Sequence, residues 1–248
     1  MLRVLDLFSG IGGFSLGLER TGGFETVAFC EIDPFCRRVL AKHWPGVKCY
    51  DDVRTISANA LERDGIAVDV ITGGFPCQDV SLAGKRAGLE GERSGLWSEF
   101  ARLIGELRPR YVILENVPGL LSLGMDEVLG ALAALRYDAV WDCIPASAIG
   151  APHIRDRVWL VANANCRDMR APRTHQAEGW TASLADDGAR QASWLEEWRA
   201  VVADVGSAVY GVSGVVDGLR PFGNTIVPQI PELIGRALLA AIAQERAA

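Results

Sequence analysis

No stretch of this 248-residue sequence stays apolar for long enough to span a bilayer. The first residues run straight into a strand-like segment with no charged and apolar leader, so a soluble, cytoplasmic protein is the expectation. An excess of basic charge is also missing. Lys and Arg number 25 against 31 Asp and Glu, a formal net charge of -6. That excludes a protein that holds polyanions through bulk electrostatics, while leaving room for a local basic cleft. Histidine is scarce, with three residues, and the six cysteines (Cys30, Cys36, Cys49, Cys77, Cys143, Cys166) lack zinc-like pairing with them. No metal is therefore expected. The chain is too long to need a disulfide framework, and the cysteines read as reduced thiols. What is present is 49% hydrophobic and 23% charged, enough to bury a sizeable core.

Short apolar runs alternate with helical patterns, and the ends of the runs carry the chemistry. Residues 2–8 (LRVLDLF) read as a strand, and Ser9-Gly10-Ile11-Gly12-Gly13-Phe14 turns it into a helix ending near residue 20. Glycines there let backbone approach a ligand closely, or serve only a tight turn. A second strand, residues 25–30, ends on Glu31, roughly 20 residues after the glycines, where nucleotide-binding units place an acidic residue on ribose hydroxyls. Asp33-Pro34 supplies an N-cap and a proline at the first helical position for a helix toward His43. A third strand, residues 47–50, ends on Asp51-Asp52, which either accept from the exocyclic amine of a base or cap the next turn. The glycine turn lacks the basic residue of a phosphate-binding loop. Hydroxyls and an amine are the expected ligand groups, as in S-adenosylmethionine or a dinucleotide.

The fourth strand, residues 67–71, leads into Thr72-Gly73-Gly74-Phe75-Pro76-Cys77-Gln78-Asp79-Val80-Ser81. Cys77, with its backbone fixed by the preceding proline, is either a nucleophile or a small buried thiol. The glycine-rich stretch after it carries Lys85, Arg86 and Arg93, which suit a phosphate-bearing substrate or a solvated loop. Residues 96–107 have helical periodicity, with Leu96, Phe100, Leu103 and Leu107 on one face and Pro109 as the stop. Residues 111–114 then form a buried strand that delivers Glu115-Asn116-Val117 beside the cysteine loop. A raised pKa would let Glu115 donate a proton to a ring nitrogen. A helix over 125–135 and a strand over 138–143 follow. Arg155 and Arg157 precede a last strand, 158–162, on one face, where they bind phosphate or a base carbonyl, or are solvated.

From residue 163 the composition shifts. Long apolar runs thin out, tryptophans stand at 180, 194 and 198, and six Arg against eight Asp or Glu over residues 163–220 give 6 - 8 = -2. Gly223-Asn224-Thr225 then precedes a helix over 229–244, with Ile230, Leu233, Ile234, Ala237, Leu238 and Ala241 as its apolar side. This order predicts an α/β body with a mixed, mostly parallel sheet and helices on both faces, spanning 1–162 and 220–248. Residues 163–219 form a small second domain, and the last helix docks back on the core.

The joint order of DLFSGIGGF at residues 6–14, GFPCQ at 74–78, ENV at 115–117, RDR at 155–157 and GNT at 223–225 resembles the DNA cytosine-5 methyltransferase family, including its phage and prophage members. The resemblance implies a Rossmann-like S-adenosylmethionine-dependent fold. It also implies S-adenosylmethionine as methyl donor, S-adenosylhomocysteine as product, and as substrate a cytosine flipped from double-stranded DNA. It assigns the cofactor to Asp6, Phe8, Gly10, Gly12 and Gly13, to Glu31 and Ile32, to Asp52 and Val53, and to Pro76, Leu96, Asn224 and Thr225. Phe8 would lie against the adenine, Glu31 hold the ribose and Asp52 face the amine. Cys77 resembles the nucleophile on ring carbon 6, Glu115 the group on ring nitrogen 3, with Arg155 and Arg157 nearby. Gln78, Ser81, Lys85, Arg86, Asn116 and Val117 fall where the family touches its substrate.

His153 stands where the family usually has glutamine, and the segment from 163 lacks the basic motif that normally precedes Gly223-Asn224. A monomer is expected, with a restriction endonuclease or an accessory subunit as partner. Two other readings share these residues: a transfer-RNA cytosine methyltransferase of the same family, and a cofactor-binding homologue that needs a partner to hold DNA.

Overall fold

Alternation of apolar side chains with a period of two makes each strand two-faced, and both faces are covered. The computed structural model describes residues 1–76, 95–149, 155–164, 174–176 and 226–247. Its strands are β1 (Leu2–Leu7), β2 (Phe24–Cys30), β3 (Lys48–Tyr50), β4 (Val70–Gly73), β5 (Tyr111–Asn116), β6 (Tyr137–Pro145), β7 (Asp156–Ala164) and β8 (Thr174–Gln176). They form one sheet in the order β3-β2-β1-β4-β5-β7-β6-β8. β7 runs antiparallel to both β5 and β6, and the remaining pairs are parallel. The mixed, mostly parallel α/β sheet expected from the sequence is thus present. The order reverses at β1, which bonds β2 on one side and β4 on the other, and ligands of open α/β sheets bind outside the carboxyl ends of strands at such a point.

Among the described residues the helices are α1 (Gly13–Glu19), α2 (Pro34–His43), α3 (Ala58–Arg63), α4 (Gly95–Leu107), α5 (Leu120–Leu123), α6 (Met125–Ala134) and α7 (Gln229–Ala247). Leu5, Leu7, Ile71, Val112, Leu114, Val158 and Leu160 pack with Leu61 of α3, Phe100, Leu103 and Ile104 of α4, and Val128 and Leu132 of α6. Their neighbours in sequence, Val4, Val70, Tyr111, Ile113, Trp159 and Val161, face the other way. They pack against Phe14 and Leu18 of α1 and Ile230 and Ile234 of α7. Each fully buried leucine or phenylalanine in these layers contributes about 1.5–3 kcal/mol.

α7 lies so close to α1 that only glycine fits between them. A Cβ on Gly17 would stand 2.0 Å from the Pro228 carbonyl oxygen, and one on Gly13 2.6 Å from that of Ile226. The expected apolar side of α7 needs correction. Ile230, Ile234 and Ile242 are buried, whereas Ala237 and Ala241 are exposed. Alanine is a strong helix former that costs little at the surface, so it does not mark the buried stripe.

Three more departures have local causes. The first strand stops at Leu7 because Phe8 adopts φ 53, outside the extended region. α3 is too short, at six residues, to show a helical period, and its start is marked only by the Ser57 hydroxyl accepting from the Ala60 amide at 3.2 Å. β8 is a three-residue strand that pairs with β6, and β7 runs to Ala164, so the sheet continues past Ala162.

Candidate active site

The carboxyl ends of β1 to β5 share one edge of the sheet. β7, being antiparallel, presents its amino end there. Asn116 is in register with Val158 and Glu115 with Trp159. The reversal of one strand therefore delivers Arg157, the second residue of β7, to the edge that Glu115 reaches near the end of β5.

Around β1, β2 and β3 the edge is built from carboxylates held by backbone amides. Ser9 joins β1 to β2, its hydroxyl donating to the Asp6 carbonyl and its amide to the Cys30 carbonyl at 3.1 Å. Gly10 then adopts φ 54, and its amide donates to Glu31 Oε2 at 2.7 Å. The other oxygen of Glu31 accepts from the Asp33 amide at 2.8 Å. One buried carboxylate thereby ties the glycine turn to the start of α2. A Cβ on Gly10 would meet nothing within 4 Å, and Ile32 beside Glu31 is 72% exposed, an uncovered apolar side chain at the ligand edge. Both features fit a nucleoside laid against this turn. Gly12 and Gly13, expected at the cofactor, also have packing roles: Gly12 at φ 89 rests on the Trp44 ring, and Gly13 on Ile226. Ile226 follows Thr225 directly, so α7 returns the chain to the glycine turn.

Asp6 is fully buried beneath this turn, accepting from Ser15 Oγ and Thr72 Oγ1, each at 2.9 Å. Burial pushes its carboxyl up to about 7, against the two hydroxyls that favour the ionised form. Asp52 caps the turn at Val53–Thr55, Oδ1 accepting from the Arg54 amide at 2.9 Å, and pairs with the Arg54 guanidinium at 2.8 Å. The hydrogen bonds from Arg54 hold Asp52 below the usual carboxylate range, which keeps it an acceptor. Of the two roles left open for Asp51 and Asp52, capping is realised by Asp52, while Asp51 pairs with Arg37 at 3.6 Å.

Around β4, β5 and β7 the carboxylate is instead desolvated and paired with guanidinium. Glu115 is 8% exposed, and its Oε1 meets Arg157 Nε at 2.8 Å. Oε2 lies against Gly74, where a Cβ would come within 2.9 Å, so the glycine makes room for it. Burial pushes the Glu115 pKa up, and the charges of Arg157 and Arg155 oppose the shift. Burial and Arg157 in turn lower Arg155. Asn116 Nδ2 donates to the Phe75 carbonyl at 3.1 Å while its oxygen accepts from the Val117 amide at 2.8 Å, which fastens residues 75–76 to the end of β5. Phe75 packs on Trp97 of α4 with ring centroids 5.3 Å apart.

The structure brings together Asp6, Phe8, the glycine turn, Glu31 and Ile32 on one side of the switch point. On the other it places Gly74 to Pro76, Glu115, Asn116 and Arg157. Cys77, Gln78, Ser81, Lys85, Arg86, His153, Asn224 and Thr225 lie outside the described residues. Sequence reasoning missed Ser15 and Thr72, although an aspartate at an inward strand position requires partners. It also missed Arg102, whose spacing to Glu99 and Glu106 on one helix face was the available signal.

The profile of the C-5 cytosine-specific DNA methylase family matches residues 2–197. Type II methyltransferase M2.BsuMI of Bacillus subtilis (strain 168) is 39% identical over 170 residues, covering 65% of this chain and 42% of that protein. Type II methyltransferase M.AquIA of Picosynechococcus sp. is 30% identical over 187 residues, covering 68% of this chain and 75% of that one. Among solved structures, a protein described as a DNA modification methyltransferase encoded within an E. coli prophage superposes with a TM-score of 0.57 at 32% identity, over 66% of this chain and 47% of that one. The chain therefore matches less than half the length of two of these three relatives.

Proposed function

We propose, from the premise that the chain belongs to the C-5 cytosine-specific DNA methylase family, that it transfers a methyl group from S-adenosylmethionine to carbon 5 of a cytosine in double-stranded DNA. The observation that carries this reading is the buried Glu115 with its pKa pushed up, held by Arg157 and fitted against Gly74, at the mouth of the segment that leads to Cys77. Phe8, Gly10, Glu31, Ile32, Asp52, Val53 and Leu96 would hold the cofactor, with Asn224-Thr225 closing over it. When bound, the cofactor supplies an electrophilic methyl group.

The chain's own residues make the cytosine able to accept it. The Cys77 thiolate adds to ring carbon 6, and Glu115 gives its proton to ring nitrogen 3, which leaves carbon 5 nucleophilic. Arg155 and Arg157 stabilise the Glu115 carboxylate once the proton has gone, and Arg157 flanks the base. After methylation, loss of the carbon 5 proton to solvent expels the Cys77 thiolate, and the proton on ring nitrogen 3 returns to Glu115, which restores the neutral ring. Gln78, Ser81, Lys85, Arg86, Asn116 and Val117 line the substrate side, and residues 163–219, outside β7 and β8, serve as the target-reading segment. A restriction endonuclease or an accessory subunit is the proposed partner. Among the described residues no helix is long and apolar enough to cross a membrane.

Transfer of labelled methyl from S-adenosylmethionine to unmethylated DNA tests the reading, with Cys77→Ala as the inactive control. Label in transfer RNA and none in DNA would replace it with the RNA reading. Cofactor binding with transfer only after a second polypeptide is added would make this chain the catalytic part of an assembly. DNA containing 5-fluorocytosine should trap a covalent adduct through Cys77, and an adduct that survives Cys77→Ala removes the assigned nucleophile.

A further inference from the structure

Phe8, Asp52 and Leu96 come from three separate stretches of sequence, and α4 carries or touches the structure around all three. Leu96 lies in its first turn. Phe100 stacks on Phe8 with ring centroids 6.3 Å apart. Arg102 reaches the turn behind Asp52, where its Nη2 donates to the Val53 carbonyl at 3.3 Å and the Ile56 carbonyl at 2.9 Å. Its Nε and Nη1 go to Glu99 at 2.8 Å and Glu106 at 2.7 Å on α4 itself. Glu106 also accepts from the Ala58 amide at 3.1 Å. A planar guanidinium is suited to spanning two carbonyls and two carboxylates at once, whereas an ammonium is a single point of charge.

The front of the same turn is held separately. Asp52 Oδ1 accepts from the Arg54 amide, and the Arg54 guanidinium folds back with Nε 2.9 Å from Oδ1 and Nη2 2.8 Å from Oδ2. Nε is shared with Oδ2 at 3.1 Å, so the amide, Nε and Nη2 of Arg54 together fix the carboxylate's rotation, and three N–H groups on about four lone-pair sites leave room for one further donor. Nothing else among the described contacts requires so exposed a side chain as Arg54, 67% accessible, to lie over the turn.

We propose that Arg102 and Arg54 are positioning residues for adenine recognition, holding the turn at residues 52–56 from its two ends so that Asp52 accepts from the exocyclic amine of the cofactor's base. The assignment rests on the methyltransferase reading, since only a bound adenine gives Asp52 an amine to read. Neither arginine touches the base. Each sets how well Asp52 tells an amine from a carbonyl at that position.

The test measures affinities of the full chain for S-adenosylhomocysteine and for S-inosylhomocysteine, in which the amine is replaced by a carbonyl. The wild type should favour the adenosyl compound about 10- to 100-fold, the worth of one hydrogen bond to a charged acceptor. Arg102→Met should lose most of that preference by weakening adenosyl binding alone, and Arg102→Lys should recover little of it. Arg54→Gln should act in the same direction with a smaller effect, and being exposed it serves if Arg102→Met fails to fold. Equal weakening of both compounds, or an unchanged preference in Arg54→Gln and Arg102→Lys, overturns the proposal. Equal binding of both compounds by the wild type overturns it while leaving the methyltransferase reading intact. A wild type that binds neither removes that reading, and the proposal falls with it.

Discussion

Glu31 and Glu115 are the same residue type at the ends of strands on one sheet edge, yet their surroundings ask opposite things of them. Both oxygens of Glu31 accept from backbone amides, at 2.7 and 2.8 Å, so it organises a turn as an acceptor. Glu115 is almost wholly buried, its ion pair with Arg157 only partly offsets the burial, and its pKa is raised. Asp52 belongs with Glu31, its pKa lowered by Arg54. On the proposed reading, Glu31 and Asp52 on the cofactor side serve as acceptors, and Glu115 on the base side is a carboxyl whose raised pKa favours the proton it would donate. Separate environments, more than separate residue types, divide binding from proton transfer.

The largest effect that could break this contrast comes from Glu115→Gln. Removing the proton donor should cost about 10²- to 10⁴-fold in methyl transfer with cofactor affinity unchanged, measured by single-turnover kinetics and calorimetry. Near-normal transfer would mean the base half has no acid at this position. Glu31→Ala should do the reverse, weakening S-adenosylhomocysteine about 10- to 100-fold through the loss of charged hydrogen bonds. DNA affinity should stay constant, and equal loss of both ligands would count against the ribose role.

Arg157→Met sharpens the comparison through pH. Glu115 must carry its proton, so activity falls as pH rises through its pKa. Removing the opposing cation should move that alkaline limb upward, seen in the rate against pH. A limb that stays in place would assign it to another group. Asp6→Asn gives the smallest expected change. The folded chain binds the Asp6 proton more tightly than the unfolded chain, so ionisation costs stability as pH climbs from the ordinary 3.8 through about 7. Melting temperatures of wild type and variant should therefore diverge across that window, with the wild type falling relative to Asp6→Asn. Parallel curves would show that Asp6 is not titrating there.

Much of this contrast was legible in the sequence because it follows from periodicity. Strand ends at Leu7, Cys30, Tyr50 and Gly73 were foreseen to within a few residues, which put Glu31, Asp52 and the cysteine loop on one edge. Asp33 capping a helix that opens on Pro34 was read correctly, since such a cap is a local matter of three residues. The double-sided burial of β1 was written in its alternation, but that Asp6 would face Ser15 and Thr72 was not, because those partners meet only when α1 docks and β4 pairs. Arg157 was assigned to the active edge without a geometric reason. The reason is the antiparallel course of β7, a property of the whole sheet that no window of residues carries. Ala237 and Ala241 misled because alanine suits either face of a helix, whereas the isoleucines at 230, 234 and 242 trace the stripe that is buried.

The glycines under α7 have a consequence for how such a protein can change. β7 ends at Ala164, held by β6 and by the Arg110 carbonyl, β8 pairs again with β6 at residues 174–176, and the chain is back against Gly13 by Ile226. The stretch between β8 and Ile226 therefore begins and ends on that sheet body, and doubling the length of a loop so anchored raises its closure cost by only about 0.6 kcal/mol. If that stretch is the target-reading part proposed above, its length can change at little expense to the core. A Cβ on Gly17, driven to within 2.0 Å of the Pro228 carbonyl oxygen, would by contrast displace the anchor itself.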